Sequence, residues 1–154
     1  MSTQFRGVYT VRAAISGVTT AKTLIQLKAG ATNPCVLLRA SVTAETTTSD
    51  EMVIQVLRKT AAATVTSFTP LLKRPGFSAA AAVGGTSATG TNASAEGTDG
   101  DVLYEEAVNV LNGFVYVPTP PEQDWVGAGG FLAIKSALTV TSVNLRAVLV
   151  FGEV

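Results

Sequence analysis

The chain has 154 residues, which fits a single domain, and 47% of them are hydrophobic while only 14% are charged. So few charges leave apolar side chains at the surface, and self-association would cover them. The sequence contains no histidine and one cysteine, so the usual residues of acid–base catalysis, zinc sites and intramolecular disulfides are missing. We therefore predict that the protein is not an enzyme and needs no cofactor and no metal ion.

The charges are divided between the two halves of the chain, although they sum to zero. Up to Arg74, nine basic residues stand against three acidic ones, a net charge of +6. From Pro75 onward, two basic residues stand against eight acidic ones, a net charge of −6. Either strands from the two halves neutralise each other within one fold, or a basic face of one copy meets an acidic face of another.

Two classes of partner are not expected. The zero net charge argues against nucleic acid. The N-terminus is polar and unlike a signal peptide, and no stretch approaches the ~18 apolar residues of a membrane helix. We expect neither a nucleic-acid nor a membrane partner, and no secretion.

Alternating apolar and polar residues predict an all-β protein. The predicted strands, in chain order, span 5–15, 22–28, 35–43, 52–60, 66–73, 101–117, 131–138 and 141–154. About eight strands in one domain (1–154), preceded by a short arm (1–4), predict an antiparallel β-sandwich that resembles a jelly roll. Pro70 cannot donate to a sheet ladder, which predicts that the segment around it lies at a sheet edge.

The segment 52–57 is apolar on both faces. It is either a central strand or part of an interface, and a helix remains possible. Leu57 lies on the second apolar face, so it is a candidate contact with another subunit.

Residues 76–100 are almost entirely Gly, Ala, Ser and Thr. This composition predicts a long low-complexity loop within the domain. The loop is either a floppy surface segment or a segment that orders against a neighbouring subunit.

Two features interrupt the later strands. Asn112-Gly113 predicts either a hairpin turn or a bulge that bends one long strand, and the few residues that follow favour the bulge. Three prolines at 118, 120 and 121 then make a stiff connector toward Trp125. Trp125 either plugs the end of the sandwich or anchors a contact with another subunit.

The remaining candidates for chemistry are weak. Adjacent strand residues Glu105 and Glu106 point to opposite faces and cannot act as an acid–base pair. The stretch "EGTDGD" at 96–101 lacks the full ligand series of a calcium loop. Cys35 has no histidine to activate it and is interpreted as a small strand residue.

Near the C-terminus, the pattern "FVYVPTPPEQDWVGAGGFLAIKS" precedes a last strand that ends "LRAVLVFGEV". This part of the chain combines an aromatic strand end, a Pro-Thr-Pro turn, a Gly-rich step and a final valine, phenylalanine and acid. In these features it resembles small tailed-phage virion proteins. The resemblance covers about residues 111–154 and implies a capsid decoration, or cement, protein.

That resemblance implies a β-sandwich that binds the major capsid protein as a homo-oligomer, with a trimer favoured. The protein would sit on the exterior of the virion, after assembly in the host cytoplasm. Gln4, Phe5 and Arg6 are then candidate contacts, with Phe5 as an apolar anchor and Arg6 as a charged donor. Phe5 otherwise starts the core face of the first strand.

Several alternatives stay open at this point. A tail or baseplate component, or a jelly-roll capsid protein, would also be a phage structural protein. A non-viral trimeric jelly-roll binding module requires secretion. A carbohydrate-binding module requires exposed aromatic platforms, for which only Trp125 is a candidate.

Overall fold

A computed structural model describes residues 4–137 and 141–154. Within these residues the chain forms strands joined by turns, with a single turn of 3-10 helix at Pro120–Glu122. No helix in this part of the chain is long and apolar enough to cross a membrane. The strands are β1 (Gly7–Val18), β2 (Lys22–Lys28), β3 (Cys35–Glu45), β4 (Glu51–Ala61), β5 (Thr64–Ser67), β6 (Leu71–Leu72), β7 (Gly90–Ala95), β8 (Thr98–Asn109), β9 (Phe114–Tyr116), β10 (Trp125–Val126), β11 (Phe131–Ser136) and β12 (Val143–Glu153).

The strands pack as two antiparallel six-stranded sheets. Sheet A has the order β10-β3-β12-β1-β6, and β9 also pairs with β3. Sheet B has the order β5-β7-β2-β11-β4-β8. Their apolar inner faces form one core that includes Tyr9, Leu37, Ile54, Phe114 and Phe151, all at most 1% exposed.

The connectivity is that of a jelly roll, which confirms the predicted fold class. The order β9-β3-β12-β1 forms the centre of one sheet, and β2-β11-β4-β8 forms the centre of the other. Along the chain these eight strands alternate between the sheets, except at the step from β4 to β8. The short strands β5, β6, β7 and β10 extend the edges.

Sequence alternation accounts for the central strands of sheet A. In β1, the residues Tyr9, Val11, Ala13 and Ile15 are buried, as their period of two requires. The same pattern in β12 buries every second residue from Val143 to Phe151. These two strands pair over nearly their full length.

The predicted loop 76–100 is wrong in its second part. Residues Gly90–Ala95 form β7, and β8 already begins at Thr98. Strand β7 pairs with both β2 and β5. The small side chains of β7 leave room for neighbouring backbones to approach closely. At Gly90, an added Cβ would lie 2.3 Å from the carbonyl oxygen of Thr66.

Two predicted strands are divided in the structure. Segment 66–73 becomes the end of β5 and the short β6, with Pro70 between them, and β6 is the edge strand that the proline predicted. The predicted strand 101–117 ends at Asn109. The favoured bulge at Asn112-Gly113 is wrong, because a turn with Gly113 at φ 71° carries the chain from sheet B to β9 in sheet A.

Leu57 is a core residue and not a surface contact. It is 0% exposed, and its cross-strand neighbours are Ala133 and Val102. The register of β4 and β8 shifts on both sides of Leu57. Segment 52–57 is therefore a central strand, as one interpretation predicted.

The acidic stretch 96–101 forms ion pairs within the chain. Asp99 accepts a hydrogen bond of 2.6 Å from Lys59 Nζ and another from Lys135 Nζ. Glu96 accepts from the backbone amide of Thr23 at 2.9 Å. These contacts hold the turn between β7 and β8 against sheet B.

Candidate assembly surface

The outer face of sheet A carries both arginines and valines, of which Arg12, Arg39 and Val115 are exposed. Arg12, Val148, Ser41 and Val115 are successive neighbours across β1, β12, β3 and β9. In the next row, Thr10, Val150 and Arg39 are neighbours. We call this surface the basic face. Its outward-pointing residues on these strands are Val8, Thr10, Arg12, Ala14, Arg146, Val148, Val150, Arg39, Ser41, Thr43 and Val115.

The cations of this surface have few partners within the chain. Arg146 pairs with Glu45. Across residues 4–137 and 141–154, by contrast, Arg12, Arg39, Lys73 and Arg74 form no ion pair. All four of these residues are exposed. The basic face therefore presents positive charge that is available to a partner.

A groove of about 750 Å³ lies at one end of the basic face. Its lining combines aliphatic, aromatic, amide and cationic groups, which suit an apolar segment bearing a carboxylate. The lining residues are Gln4, Phe5, Gly7, Val8, Leu38, Lys73, Arg74, Phe77 and Val150. We call this concavity the aromatic groove.

Phe5 forms one wall of the aromatic groove because the opposing strand leaves room for its ring. A Cβ atom at Gly152 would lie 2.5 Å from Phe5 Cδ1, so only glycine admits the ring at its present position. The backbone amide of Arg6 donates a 2.7 Å hydrogen bond to the Glu153 carbonyl oxygen. These two contacts fix residues 5 and 6 beside β12.

Phe77 forms the other wall and is 47% exposed. The loop that carries it is held at two points. On its near side, the hydroxyl of Tyr9 donates a 2.8 Å hydrogen bond to the carbonyl oxygen of Ser78. Further along, the fully buried carboxylate of Glu153 accepts from the amides of Ala81 and Ala82 at 3.0 and 2.8 Å.

A rigid turn projects at the opposite edge of sheet A, between β9 and β10. We call residues 117–122, "VPTPPE", the proline turn. Thr119 has φ −68° and ψ 154°, and its hydroxyl donates a 3.0 Å hydrogen bond to Glu122. Val117 is 62% exposed. Beyond the turn, the Asp124 carbonyl oxygen accepts a 2.8 Å bond from the Leu37 amide, which ties the turn to β3.

Trp125 lies at this same edge and is 38% exposed. Its carbonyl oxygen accepts hydrogen bonds from Arg58 Nε and Nη2 at 3.0 and 2.8 Å. The neighbouring Tyr104 and Tyr116 rings stack with centroids 4.1 Å apart. Burial raises the pKa of the Asp124 carboxyl, whereas a hydrogen bond from Tyr116 and the charge of Arg58 lower it less.

Three acidic residues without ion pairs lie on β8, in the other sheet. On β8, Asp101, Glu105 and Glu106 are exposed and have no cationic partner among the described residues. Glu105 accepts instead from Gln55, and Glu106 from Tyr104. The β8 edge of sheet B is therefore negative, while the basic face is positive. Ion pairs between the two halves of the chain, such as Lys59–Asp99 and Arg6–Glu153, neutralise only some of their charges.

The residues that the sequence predicted as contacts lie in different parts of the structure. Gln4 and Phe5 line the aromatic groove, and Arg6 lies 3.9 Å from the Glu153 carboxylate, whereas Leu57 is buried elsewhere. Residues 1–3 of the predicted arm lie outside the described residues. Sequence reasoning missed Lys73, Arg74 and Phe77 as a group, although the cluster "LLKRPGF" at 71–77 combines charge with apolar residues.

Cys35 is buried in the core beside β10. Burial and the charge of Glu153 raise the pKa of its thiol to about 12. The thiol is therefore protonated at neutral pH and does not contribute a nucleophile to this surface.

No protein-family model and no curated protein matches this chain. The resemblance to phage decoration proteins therefore stays a prediction from the sequence of residues 111–154.

Proposed function

We propose that the protein is a structural virion protein that binds the outside of a phage head and stabilises the capsid. The basic face is the observation that carries this proposal. Unpaired, exposed Arg12 and Arg39 lie there beside the half-buried Val148, on strands that belong to the sandwich. Such a face suits contact with a protein surface that bears carboxylates.

A head surface repeats the same binding site many times, so the affinity of each single contact can be modest. When an oligomer engages several sites at once, each later contact forms at a high effective concentration. Modest single contacts then give stable attachment. A rigid jelly roll with a flat, cationic and apolar face meets this requirement without any catalytic group.

The direct test is binding to heads that lack this protein, measured by co-sedimentation. Arg39→Glu reverses one charge at the centre of the basic face, and we expect binding to weaken at least about tenfold. Lys22→Glu is the matched control, because it makes the same change on β2, in sheet B. The intact protein should also co-purify with virions at a copy number near that of the shell protein.

Two results would reject the proposal. The first is failure of the intact protein to bind heads at all. The second is equal binding by Arg39→Glu and Lys22→Glu, which would show that the basic face is not the contact.

A further inference from the structure

We propose that the aromatic groove of one copy receives the proline turn of a second copy, so that identical chains join edge to edge. The inference concerns the oligomer within the proposed function and rests on that assembly role. It names both surfaces of the contact. The groove runs across one end of sheet A, from Leu38 on β3 to Lys73 beyond β6, and the turn lies at the β9–β10 edge.

The two surfaces match in chemistry. The groove has Phe5 and Phe77 as walls, against which the apolar rings of prolines can pack. The proline turn contains prolines at 118, 120 and 121, of which the last two are exposed. Val117 adds an exposed aliphatic group.

The two surfaces also match in charge. Lys73 and Arg74 line the groove and have no ion-pair partner within the described part of the chain. Glu122 ends the proline turn and accepts only from the turn itself, through Thr119. Docking would place this carboxylate beside the two cations, where it gains a charge-assisted hydrogen bond.

The turn is shaped before it binds. The backbone amide of Glu122 donates a 2.8 Å bond to the Thr119 carbonyl oxygen, and the proline rings fix their own φ angles. Little conformational entropy is lost when such a segment docks. The groove is preformed as well, since Gly152, Tyr9 and Glu153 hold its walls.

Among the described residues, Glu122 of the turn forms no ion pair with the cations of the groove in its own chain. Strands β9 and β10 hold both of its ends on the outer edge of β3, while Lys73 follows β6 at the other edge of the sheet. The contact is therefore between copies and uses two different surfaces. Repeated contacts of this kind close into a ring when the rotation between copies permits it, and we expect a trimer.

The test is sedimentation equilibrium of the full chain. The wild-type protein should have three times the 15.8 kDa mass of one chain. The double variant Lys73→Glu/Arg74→Glu should associate at least about tenfold more weakly. The control Lys22→Glu/Lys28→Glu makes the same charge change on β2 and should associate like the wild type. Circular dichroism should show that the variants at Lys73, Arg74 and Glu122 stay folded, since these side chains are exposed, and the same measurement checks the control at the half-buried Lys22 and Lys28.

Charge exchange makes the test specific for this pair of surfaces. Glu122→Lys alone should weaken association, and adding it to Lys73→Glu/Arg74→Glu should restore part of the loss. A monomeric wild type, a double variant that associates like its control, or no restoration would each overturn the inference. If a monomeric protein still binds heads, the inference fails and the proposed function stands. If a trimer forms but does not bind heads, the proposed function fails and the contact between groove and turn stands.

Discussion

Removing the charge of Asp99 should destabilise the protein much more than removing that of its exposed neighbour Asp101. Asp99 lies between Lys59 Nζ, at 2.6 Å, and Lys135 Nζ. The Lys59 side chain is 0% exposed and that of Lys135 is 13% exposed. Asp99→Asn leaves both amines facing a neutral amide.

The size of the effect follows from the burial of these groups. Removing one partner of a fully buried ion pair costs about 3–5 kcal/mol. Asp99 is 33% exposed and asparagine still offers one acceptor oxygen, so a smaller loss of about 2–3 kcal/mol in the free energy of unfolding is expected. For a chain of this length that loss lowers Tm by roughly 4–12 °C.

The pH dependence provides a second measurement on the same variant. Burial raises the pKa of Asp99, but hydrogen bonds from Lys135 and Lys59 outweigh it and hold the pKa below the usual 3.8. The carboxylate therefore stabilises the fold above pH 3.8, and this stability is lost as the pH falls below that value. The Tm difference between wild type and Asp99→Asn should shrink in acid.

Calorimetry or urea unfolding of wild type, Asp99→Asn and Asp101→Asn at neutral pH would measure these changes. Asp101 is exposed and unpaired among the described residues, so its variant should lie within about 0.5 kcal/mol of the wild type. If both variants lose the same stability, Asp99 does not hold the β7–β8 turn in the way its contacts indicate.

Three further outcomes are expected. Leu57→Ala should lower the free energy of unfolding by about 2–5 kcal/mol in urea titrations, because it empties a fully buried site, and a change below 1 kcal/mol would contradict that burial. The Cys35 thiol, whose pKa is raised to about 12, should react with a thiol reagent at pH 8 only after denaturant is added, so fast reaction of the native protein would contradict it. Gly152→Ala should displace the Phe5 ring and weaken association in sedimentation, whereas Gly127→Ala, whose Cβ would meet nothing within 4 Å, should behave like the wild type.

Sequence periodicity predicted the long strands because one face of each is buried. Strand β1 alternates clearly and β12 does so up to Leu149, and each has the core on one side and the basic face on the other. Strand β7 was missed because a run of Gly, Ala, Ser and Thr carries no contrast between its two faces. Its place in sheet B depends on close approach to β2 and β5, which no local pattern encodes.

The surface was harder to predict than the core. Alternation along β4 predicts that Leu57 lies on an exposed face. The register between β4 and β8 shifts there and neighbouring segments cover the residue, so it is buried. The aromatic groove joins Phe5 with Phe77, which are far apart in sequence and meet because β6 pairs with β1. Such a site depends on topology, and topology requires pairings between distant strands.

The position of β12 constrains when the protein can fold. It is the last strand along the chain, yet it lies between β1 and β3 and pairs with both, so that Gly7 is opposite Glu153. During synthesis β1 and β3 have no partner at the centre of sheet A until β12 has left the ribosome. Pairing between such distant segments also makes folding slow. Before β12 docks, β1 and β3 each lack their longest partner and expose one edge, and the basic face, which includes β12, is not yet formed.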